Sequence, residues 1–440
     1  MRKLNRWMAV VGSMAVLMAG VAGGTDSTQD GRQEADGDHA AFTPSLDTDK
    51  RVEIEIAGFM GNFESLDQAE NAFNAYYPNV TFSYEQNSWA QLKEYMQNNE
   101  YVDIIMTADK NLRFSSADWT EQYVGDYCLD LTKEDLDLSE VDATMVDYCK
   151  VDGKLLRVPL AQQICGMIVN KSLLEQQGLE VPTTYREFLD ACETLKQAGY
   201  TPVQGSPFHV YSELVNNMAM NLLGADETVA KQFNDGDGSS ANVLRPAFEK
   251  IKDLTDRGYM DLAVNQTYPD DNYDGAILNF FEGDVPFWIT NTECVSGMKK
   301  RESKSETFLA RPFDYDFYGV PLGENGVYVY AEPWYGFSVN KDSEVKDYAV
   351  EFLRFLMTQE QLDQFAETKG LPSAAAQTKD TQYTTVLNPA KVEGTFVNTG
   401  SVDSGVEGNI ADMFNAYGMQ QFASVDEAIA GVVKRCSWGK

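Results

Sequence analysis

Strand and helix patterns alternate along the first part of the chain, and this alternation restricts the possible folds more than any other feature. Apolar residues at every second position predict strands over residues 52–56 and 80–84, and a short apolar run predicts a third strand over 103–106. A helix with one apolar face is predicted over 66–76, and a polar helix precedes the third strand. This β-α-β-α-β order indicates an open α/β sheet with helices on both faces.

The remainder of the chain indicates a second unit that is connected to the first by more than one crossing. The middle segment is mainly helical. Strand patterns return over 318–322 and 337–340. Helices are then predicted from 349 to about 369 and from about 408 to 422. Two lobes joined by several crossings form a hinge, and ligands commonly bind between such lobes.

The charge of the chain excludes several classes of partner. Asp and Glu outnumber Lys and Arg by 68 to 35, so the formal net charge is −33 at pH 7. Binding to nucleic acid or to anionic lipid needs a basic face, and we therefore expect neither partner. The chain has two histidines, one of them His39 in a polar stretch, which argues against histidine-based catalysis and His-rich metal sites.

The N-terminal residues are typical of a protein exported by a bacterium. Residues 1–24 read as a signal peptide, with a basic start and a short apolar run, although a buried first helix is the alternative. Residues 25–50 are polar and predict a flexible linker. Residues 17–20 are close to a lipobox, but Val21 stands where the lipid-bearing cysteine would follow. We expect the protein at the cell surface, membrane-anchored if residue 21 is natively cysteine and otherwise secreted.

Neither a cofactor nor a metal site is predicted. The six cysteines form no CxxC pair, and buried free thiols are favoured over a disulfide between Cys128 and Cys149. Residues 234–240 place Asp235 and Asp237 as a calcium loop would, but Pro246 stands at the position of the closing glutamate. A solvated turn is therefore the prediction for this loop.

Short motifs in a fixed order fill the region from residue 152 to 199. They are Asp152-Gly153-Lys154, Val158-Pro159, Val169-Asn170-Lys171, Pro182-Thr183-Thr184-Tyr185-Arg186-Glu187-Phe188 and Lys196-Gln197-Ala198-Gly199. Further pieces are Tyr77-Pro78-Asn79-Val80, Val102-Asp103-Ile104-Ile105, Phe281-Glu282-Gly283-Asp284, Gly319-Val320-Pro321-Leu322-Gly323, Gly336-Phe337-Ser338-Val339-Asn340-Lys341 and Lys369-Gly370-Leu371-Pro372-Ser373. Together they resemble the extracellular solute-binding proteins of family 1, the sugar-capturing receptors of ABC importers. Val169 and Tyr185 replace the family's usual Tyr and Trp.

The resemblance covers roughly residues 51–440 and implies both a fold and a function. The implied fold is α/β, two-lobed and like that of type II periplasmic binding proteins, with several chain crossings at its hinge. We expect lobe 1 to comprise 51–160 and 319–370, and lobe 2 to comprise 161–318 and 371–440. The implied protein is a monomer and not an enzyme. It captures a sugar or oligosaccharide by hinge closure and delivers it to the permease subunits of an ABC transporter.

The candidate site residues follow from the chemistry of a sugar together with the resemblance. Sugar hydroxyls need donors and acceptors, and the C–H faces of the ring pack on aromatic side chains. The candidates are Phe59, Asp109, Gln163, Tyr211, Asn291, Glu293, Trp334, Tyr335 and Asp412. Met60, Phe208, Trp288 and Asn409 are weaker alternatives near these positions. Each also has a structural interpretation, and for Tyr211 core packing is the stronger one.

Two other functions remain open at this point. A glycoside hydrolase would use two carboxylates, and 68 acidic residues do not reveal a pair. The chain contains no GxSxG, HExxH or P-loop motif. A receptor for another solute, such as a polyamine, peptide or siderophore, is the second alternative. A cationic ligand would need a carboxylate-rich cleft with aromatic walls.

Overall fold

The computed structural model describes residues 42–59, 64–98, 101–108, 125–268, 273–377, 383–387 and 389–437. The described residues belong to one compact unit that begins at Phe42. Among them, no helix has the length and apolar character needed to cross a membrane.

The strands are β1 (Val52–Gly58), β2 (Val80–Gln86), β3 (Ile104–Ala108), β4 (Lys150–Val151), β5 (Lys154–Leu155), β6 (Val158–Pro159), β7 (Gln162–Gln163), β8 (Cys165–Asn170), β9 (Val203–Gln204), β10 (Phe287–Asn291), β11 (Tyr315–Tyr318), β12 (Val327–Tyr330), β13 (Glu332–Pro333), β14 (Tyr335–Val339) and β15 (Val392–Phe396). The helices are α1 (Glu64–Phe73), α2 (Trp89–Asn98), α3 (Ala143–Tyr148), α4 (Lys171–Gln176), α5 (Tyr185–Gln197), α6 (Leu214–Gly224), α7 (Glu227–Asn234), α8 (Arg245–Asp256), α9 (Leu262–Asn265), α10 (Tyr273–Phe280), α11 (Thr292–Glu302), α12 (Glu306–Ala310), α13 (Lys346–Leu356), α14 (Gln359–Lys369), α15 (Thr384–Leu387), α16 (Ser404–Gly418) and α17 (Val425–Arg435). Short 3₁₀ turns cover Leu131–Lys133 and Gly238–Leu244, and a π-helical turn covers His209–Glu213.

The first sheet has the strand order β2-β1-β3-β14-β6. β1 is parallel to β2 and β3, whereas β14 is antiparallel to β3 and β6. Val52, Ile54 and Ile56 are buried on one face of β1 while Glu53 and Glu55 face solvent, as their alternation predicts. Phe73 of α1 packs on this face, and its ring contacts the ring of Phe352 of α13 edge-on. The predicted α/β sheet is therefore present.

The second sheet has the order β11-β8-β10-β9 and lies in a separate core. β8 is its buried central strand, antiparallel to β10 and β11. The strand predicted over 318–322 forms earlier, as β11, and residues 319–322 continue without strand structure. The single helix predicted to reach 369 is divided at Met357 and Thr358 into α13 and α14. The helix predicted over 408–422 begins and ends four residues earlier, as α16.

Three segments run side by side between the two sheets, namely those around Gln162, Glu332 and Ser373. β7 pairs with β13 in the first two of them. The third is held to the first by Gln162, whose backbone N–H donates to Pro372 O (2.9 Å) and whose side chain donates to Ser373 O (2.6 Å). The predicted two-lobed α/β fold with several crossings is confirmed. Val320, Leu322 and Tyr330 pack into the core of the second sheet, so we propose that the second crossing lies at 331–334 rather than at 319.

Two predictions about loops and cysteines can be compared with the structure. All six cysteines are free thiols, five of them buried and Cys165 partly exposed, so no Cys128–Cys149 bond forms. In the 234–240 loop, Asp237 accepts a hydrogen bond from Ser239 N (3.0 Å) and caps the following 3₁₀ turn. A turn is present as the sequence predicts, but it is only partly solvated, because Asp235 and Ser239 are exposed whereas Gly236 and Gly238 are buried.

The predicted linker ends too late in the sequence. Residues 42–50, the last part of the predicted linker, pack on α1 and α13. The backbone N–H and hydroxyl of Ser45 donate to the two oxygens of Glu351 (2.9 and 2.8 Å). Phe42 packs edge-on against Phe355 at a centroid distance of 5.1 Å. A buried carboxylate that collects several donors can order a polar segment of this kind.

Replacing Glu351 by glutamine should lower the free energy of unfolding by about 2 kcal/mol at pH 7. Burial opposes ionisation of Glu351, but hydrogen bonds from Arg354, Tyr77 and Ser45 outweigh it and hold its pKa below the ordinary 4.5. A lowered pKa contributes stability that is present above 4.5 and is lost as the pH falls through the folded-state value. Urea unfolding should therefore show that the difference in the free energy of unfolding between the parent and Glu351→Gln becomes smaller in acid. A difference independent of pH would contradict this, and Glu360→Gln, at an exposed position, is the control.

Candidate ligand-binding site

A cavity of about 330 Å³ lies where the crossings meet the edges of the two sheets. Its volume is within the range of small-molecule sites. Residues from the first lobe and the crossings line one side, namely Phe59, Gln163, Glu332 and Trp334. Residues from the second lobe line the other, namely Cys165, Phe208, His209, Ser212, Glu213, Asn216, Tyr273, Asn291, Glu293, Ser404, Glu407, Gly408 and Ala411.

Aromatic rings form the wall on the side of the first sheet. The ring of Phe59, directly after β1, stacks on Tyr335 at a centroid distance of 5.7 Å and an interplanar angle of 18°. Trp334 meets Phe59 at 6.5 Å and 75°. Tyr335 is followed by Gly336, where an added Cβ would lie 2.3 Å from Val158 O. Only glycine therefore allows β6 and β14 to approach this closely. This wall can pack against the C–H face of a sugar ring.

A buried arginine supports the aromatic wall from behind. Arg157 is fully buried (0% exposed), and its guanidinium lies against Gly336. Its Nη2 donates to Trp334 O (2.6 Å) and to Thr107 O (3.1 Å). These bonds tie the crossing that carries Trp334 to the end of β3.

A polar cluster begins where β10 meets α11. Asn291 caps α11 by accepting from Glu293 N (2.9 Å), and its side-chain N–H donates to Glu213 Oε1 (2.7 Å). The hydroxyl of Tyr335 donates to Glu293 Oε1 (2.8 Å), which connects the first sheet to the second lobe. Burial, followed by the charge of Glu293, raises the pKa of Tyr335 well above its ordinary value. The tyrosine is therefore a stable donor at neutral pH.

Two more glutamates line the cavity near α16. Glu407 accepts from Asn216 (2.9 Å) and from the hydroxyl of Tyr330 (3.1 Å). Glu332 accepts from the same hydroxyl at 3.3 Å. Burial raises the pKa of the Cys165 thiol well above its ordinary value, and nearby Glu213, Glu332 and Glu407 raise it further. Cys165 is accordingly a protonated thiol.

The structure brings five of the predicted site residues to the cavity, namely Phe59, Gln163, Asn291, Glu293 and Trp334. Tyr335 contacts this group through the stacked Phe59 and the hydrogen bond to Glu293. Phe208, the weaker alternative to Tyr211, also lines the cavity. Asp109 and Met60 lie outside the described residues.

The structure places two predicted residues elsewhere. Tyr211 is buried in the core of the second lobe (1% exposed). Asp412 lies on an exposed face of α16 and pairs with Arg435, which also bonds Asn409. Ser404, Gly408 and Ala411 form the face of α16 that lines the cavity, and Asp412 is one position beyond it. Trp288, a further alternative, is a fully buried core residue.

Several lining residues are not marked by any pattern in the sequence. These are Cys165, His209, Ser212, Glu213, Asn216, Tyr273, Glu332, Ser404, Glu407, Gly408 and Ala411. The ring of His209 stacks on Tyr273 at 5.6 Å and 26°. Phe208 and Glu213 are five residues apart and share a face because the chain makes a wide π-helical turn over 209–213. That turn directs Tyr211 into the core.

Gly418→Ala should destabilise the fold by about 1–3 kcal/mol, because overpacking of a core forces side chains from their rotamers. An added Cβ at Gly418 would lie 2.0 Å from the Tyr211 ring. Gly408→Ala, ten residues earlier in α16, meets nothing within 4 Å and should not destabilise the helix. Urea unfolding measures both variants. Equal stability of the two would contradict the core position of Tyr211.

Comparison with known proteins gives a family model and several sequence relatives. A model described as bacterial extracellular solute-binding protein matches residues 60–363. A multiple sugar-binding protein of Streptococcus mutans is 21% identical over 294 residues, which cover 64% of this chain and 65% of that protein. A probable sugar-binding periplasmic protein of Brucella melitensis is 26% identical over 179 residues, 39% of each chain. The matched regions thus span less than two thirds of either relative.

Solved structures resemble this chain over nearly its whole length. The apo form of RafE from Streptococcus pneumoniae has a TM-score of 0.68 at 15% identity, and the match covers 90% of this chain and 100% of that one. A sugar transporter from Bacillus licheniformis, solved with stachyose, has a TM-score of 0.60 at 16% identity and covers 88% and 100%. At this identity the likeness concerns the fold.

Proposed function

The chain belongs to the family of bacterial extracellular solute-binding proteins, and from this premise we propose that it captures a sugar or oligosaccharide in the cavity and delivers it intact to an ABC-transporter permease. The observation that carries the proposal is the composition of the cavity. A wall of rings faces amide and carboxylate groups from the other lobe. Rings suit the C–H faces of a saccharide, and the polar groups suit its hydroxyls.

The position of the cavity supports capture by hinge closure. Gln163, Glu332 and Trp334 lie on or beside the crossings, so a ligand contacts the segments about which the lobes would rotate. The bond between Tyr335 and Glu293 joins the lobes directly at the same place. A ligand that contacts both lobes binds the closed form more tightly, and this difference shifts the population toward closure.

The ligands of structural neighbours are consistent with this proposal. RafE is solved in complex with raffinose, and the Bacillus licheniformis protein with stachyose. We also propose export to the cell surface and a monomeric state, in agreement with the N-terminal residues and the family resemblance. We propose the predicted division into lobes with one change: the second crossing lies at 331–334, so residues 319–330 belong to lobe 2.

A thermal-shift titration with raffinose, stachyose and spermidine tests the proposal. A saccharide at 100 times its Kd should stabilise the protein by about 2.7 kcal/mol. Solution scattering should show compaction with the same ligand. Raffinose and stachyose have no reducing end, so hydrolysis would appear as new reducing ends and would favour the glycoside hydrolase. Stabilisation by spermidine alone would instead favour a receptor for amines.

A further inference from the structure

The cavity has a strong excess of negative charge. Glu213, Glu293, Glu332 and Glu407 all line it. Among the described residues that line it, there is no lysine or arginine. Lys369 is not among the lining residues, but it lies 5.5 Å from the centre of the Tyr335 ring and close enough to Glu293 for the two charges to interact. Closure around a neutral ligand would enclose these carboxylates with no lysine or arginine among the described residues that line the cavity.

The hydrogen bonds that these glutamates accept do not neutralise them. Asn291 donates to Glu213, and Tyr335 donates to Glu293. Asn216 and Tyr330 donate to Glu407. Each of these donors is uncharged, so it satisfies a lone pair and leaves the charge. Burial of carboxylates in a closing site is costly unless a cation accompanies them.

Glu213 has a carboxylate oxygen without a partner. The residue is 8% exposed, and Asn291 donates to its Oε1. Its Oε2 has no hydrogen-bond partner among the described residues. His209 Nε2 is 3.9 Å from Oε1, beyond hydrogen-bond distance. A buried oxygen of this kind indicates that a donor arrives with the ligand.

The site is better suited to an organic cation than to a metal ion. Within the described part of the chain, no group of three or more His, Cys, Asp or Glu side chains is placed to hold a metal. Glu213 and Glu293 both lie close enough to Tyr273 for their charges to raise its pKa further after burial has raised it. These three side chains and Asn291 therefore lie together, and the hydrogen bond from Tyr335 places Glu293 next to the aromatic wall.

We propose that the ligand is a saccharide bearing a primary ammonium group, with the ammonium bound at Glu213 and a sugar face packed on Phe59 and Trp334. This inference rests on the proposed function and narrows its class of substrate. An ammonium supplies three donors and one positive charge, and so could both satisfy Glu213 Oε2 and compensate its charge. Acetylation of the amine would remove the positive charge and would leave one N–H donor in place of three.

The test uses saccharides that differ in one substituent. Calorimetric titration compares glucose with glucosamine, and the β-1,4-linked trimers of glucose, glucosamine and N-acetylglucosamine with one another. We expect the ammonium form to bind at least about tenfold more tightly than its neutral counterparts, as close charge pairs at an interface do. Glu213→Gln should abolish this preference. The matched control is Glu175→Gln, which removes the same charge at an exposed position outside the cavity and should keep the preference.

The outcomes separate the inference from the proposed function. Tighter binding of any neutral saccharide, raffinose and stachyose included, would overturn the inference and leave the function intact. Binding of spermidine with no saccharide bound would overturn both. If no probe binds, the proposed function fails. The melting temperature without ligand is a second readout: Glu213→Gln should raise it by about 2 °C, because a buried charge is removed. A decrease would mean that the carboxylate is already compensated, contrary to the inference.

Discussion

Replacing Arg157 by leucine should lower the free energy of unfolding by about 3–5 kcal/mol, the largest effect that we expect from a single substitution near the cavity. Arg157 is fully buried, and its Nη2 donates to Thr107 O and Trp334 O. Leucine would fill part of the space but would leave both carbonyl groups without this donor. Each buried polar group that loses its partner costs about 1–3 kcal/mol, and bonds from a charged donor are among the strongest.

The same substitution should also weaken ligand binding, because Trp334 would lose one of the bonds that fix its backbone. Urea unfolding gives the stability, and calorimetry below the transition gives the affinity. Arg157→Lys keeps a cationic donor on a shorter side chain, so it should recover part of the stability. A leucine variant as stable as the parent would show that the two carbonyl groups find other donors.

The sequence predicted the parts of the fold that depend on local patterns. β1 was evident because Val52, Ile54 and Ile56 are buried in alternation with exposed glutamates. Trp334 was found because two large aromatic residues precede a glycine and a strand, and that glycine does permit close packing of β14 on β6. Gln163 was found because it interrupts an apolar run. In each case neighbours in sequence carry the signal.

The acidic side of the cavity could not be predicted in the same way. Asn216 and Glu407 are 191 residues apart, and the packing of α16 on the π-helical turn that precedes α6 brings them together. With 68 acidic residues, nothing in the sequence distinguishes Glu213 or Glu407 from a solvated carboxylate. The errors at Tyr211 and Asp412 have a related cause. Each is on a helical turn that does line the cavity, and the rotation of that turn depends on tertiary contacts.

Truncation of Phe59 to alanine should weaken saccharide binding about 30-fold while leaving the fold intact. Phe59 lines the cavity and is only partly buried, so its removal costs the core less than the loss of Trp334 would. The ring stacks on Tyr335 and contacts Trp334, and it completes the surface on which a sugar face would pack. Loss of a stacking partner together with the apolar area that it covers corresponds to about 2 kcal/mol, which is a factor of about 30 in Kd.

A matched variant separates this effect from a general loss of stability. Phe82 is also partly buried and packs on Phe352 at 4.8 Å, but it belongs to the face of the first sheet that does not line the cavity. Phe82→Ala should therefore lower the melting temperature and keep the affinity. Phe59→Ala should lower the affinity and change the melting temperature less. Calorimetry with the saccharide that binds most tightly to the parent protein measures the affinities. Equal affinities of parent and Phe59→Ala would mean that the aromatic wall does not contact the ligand, and the sugar would then have to bind elsewhere.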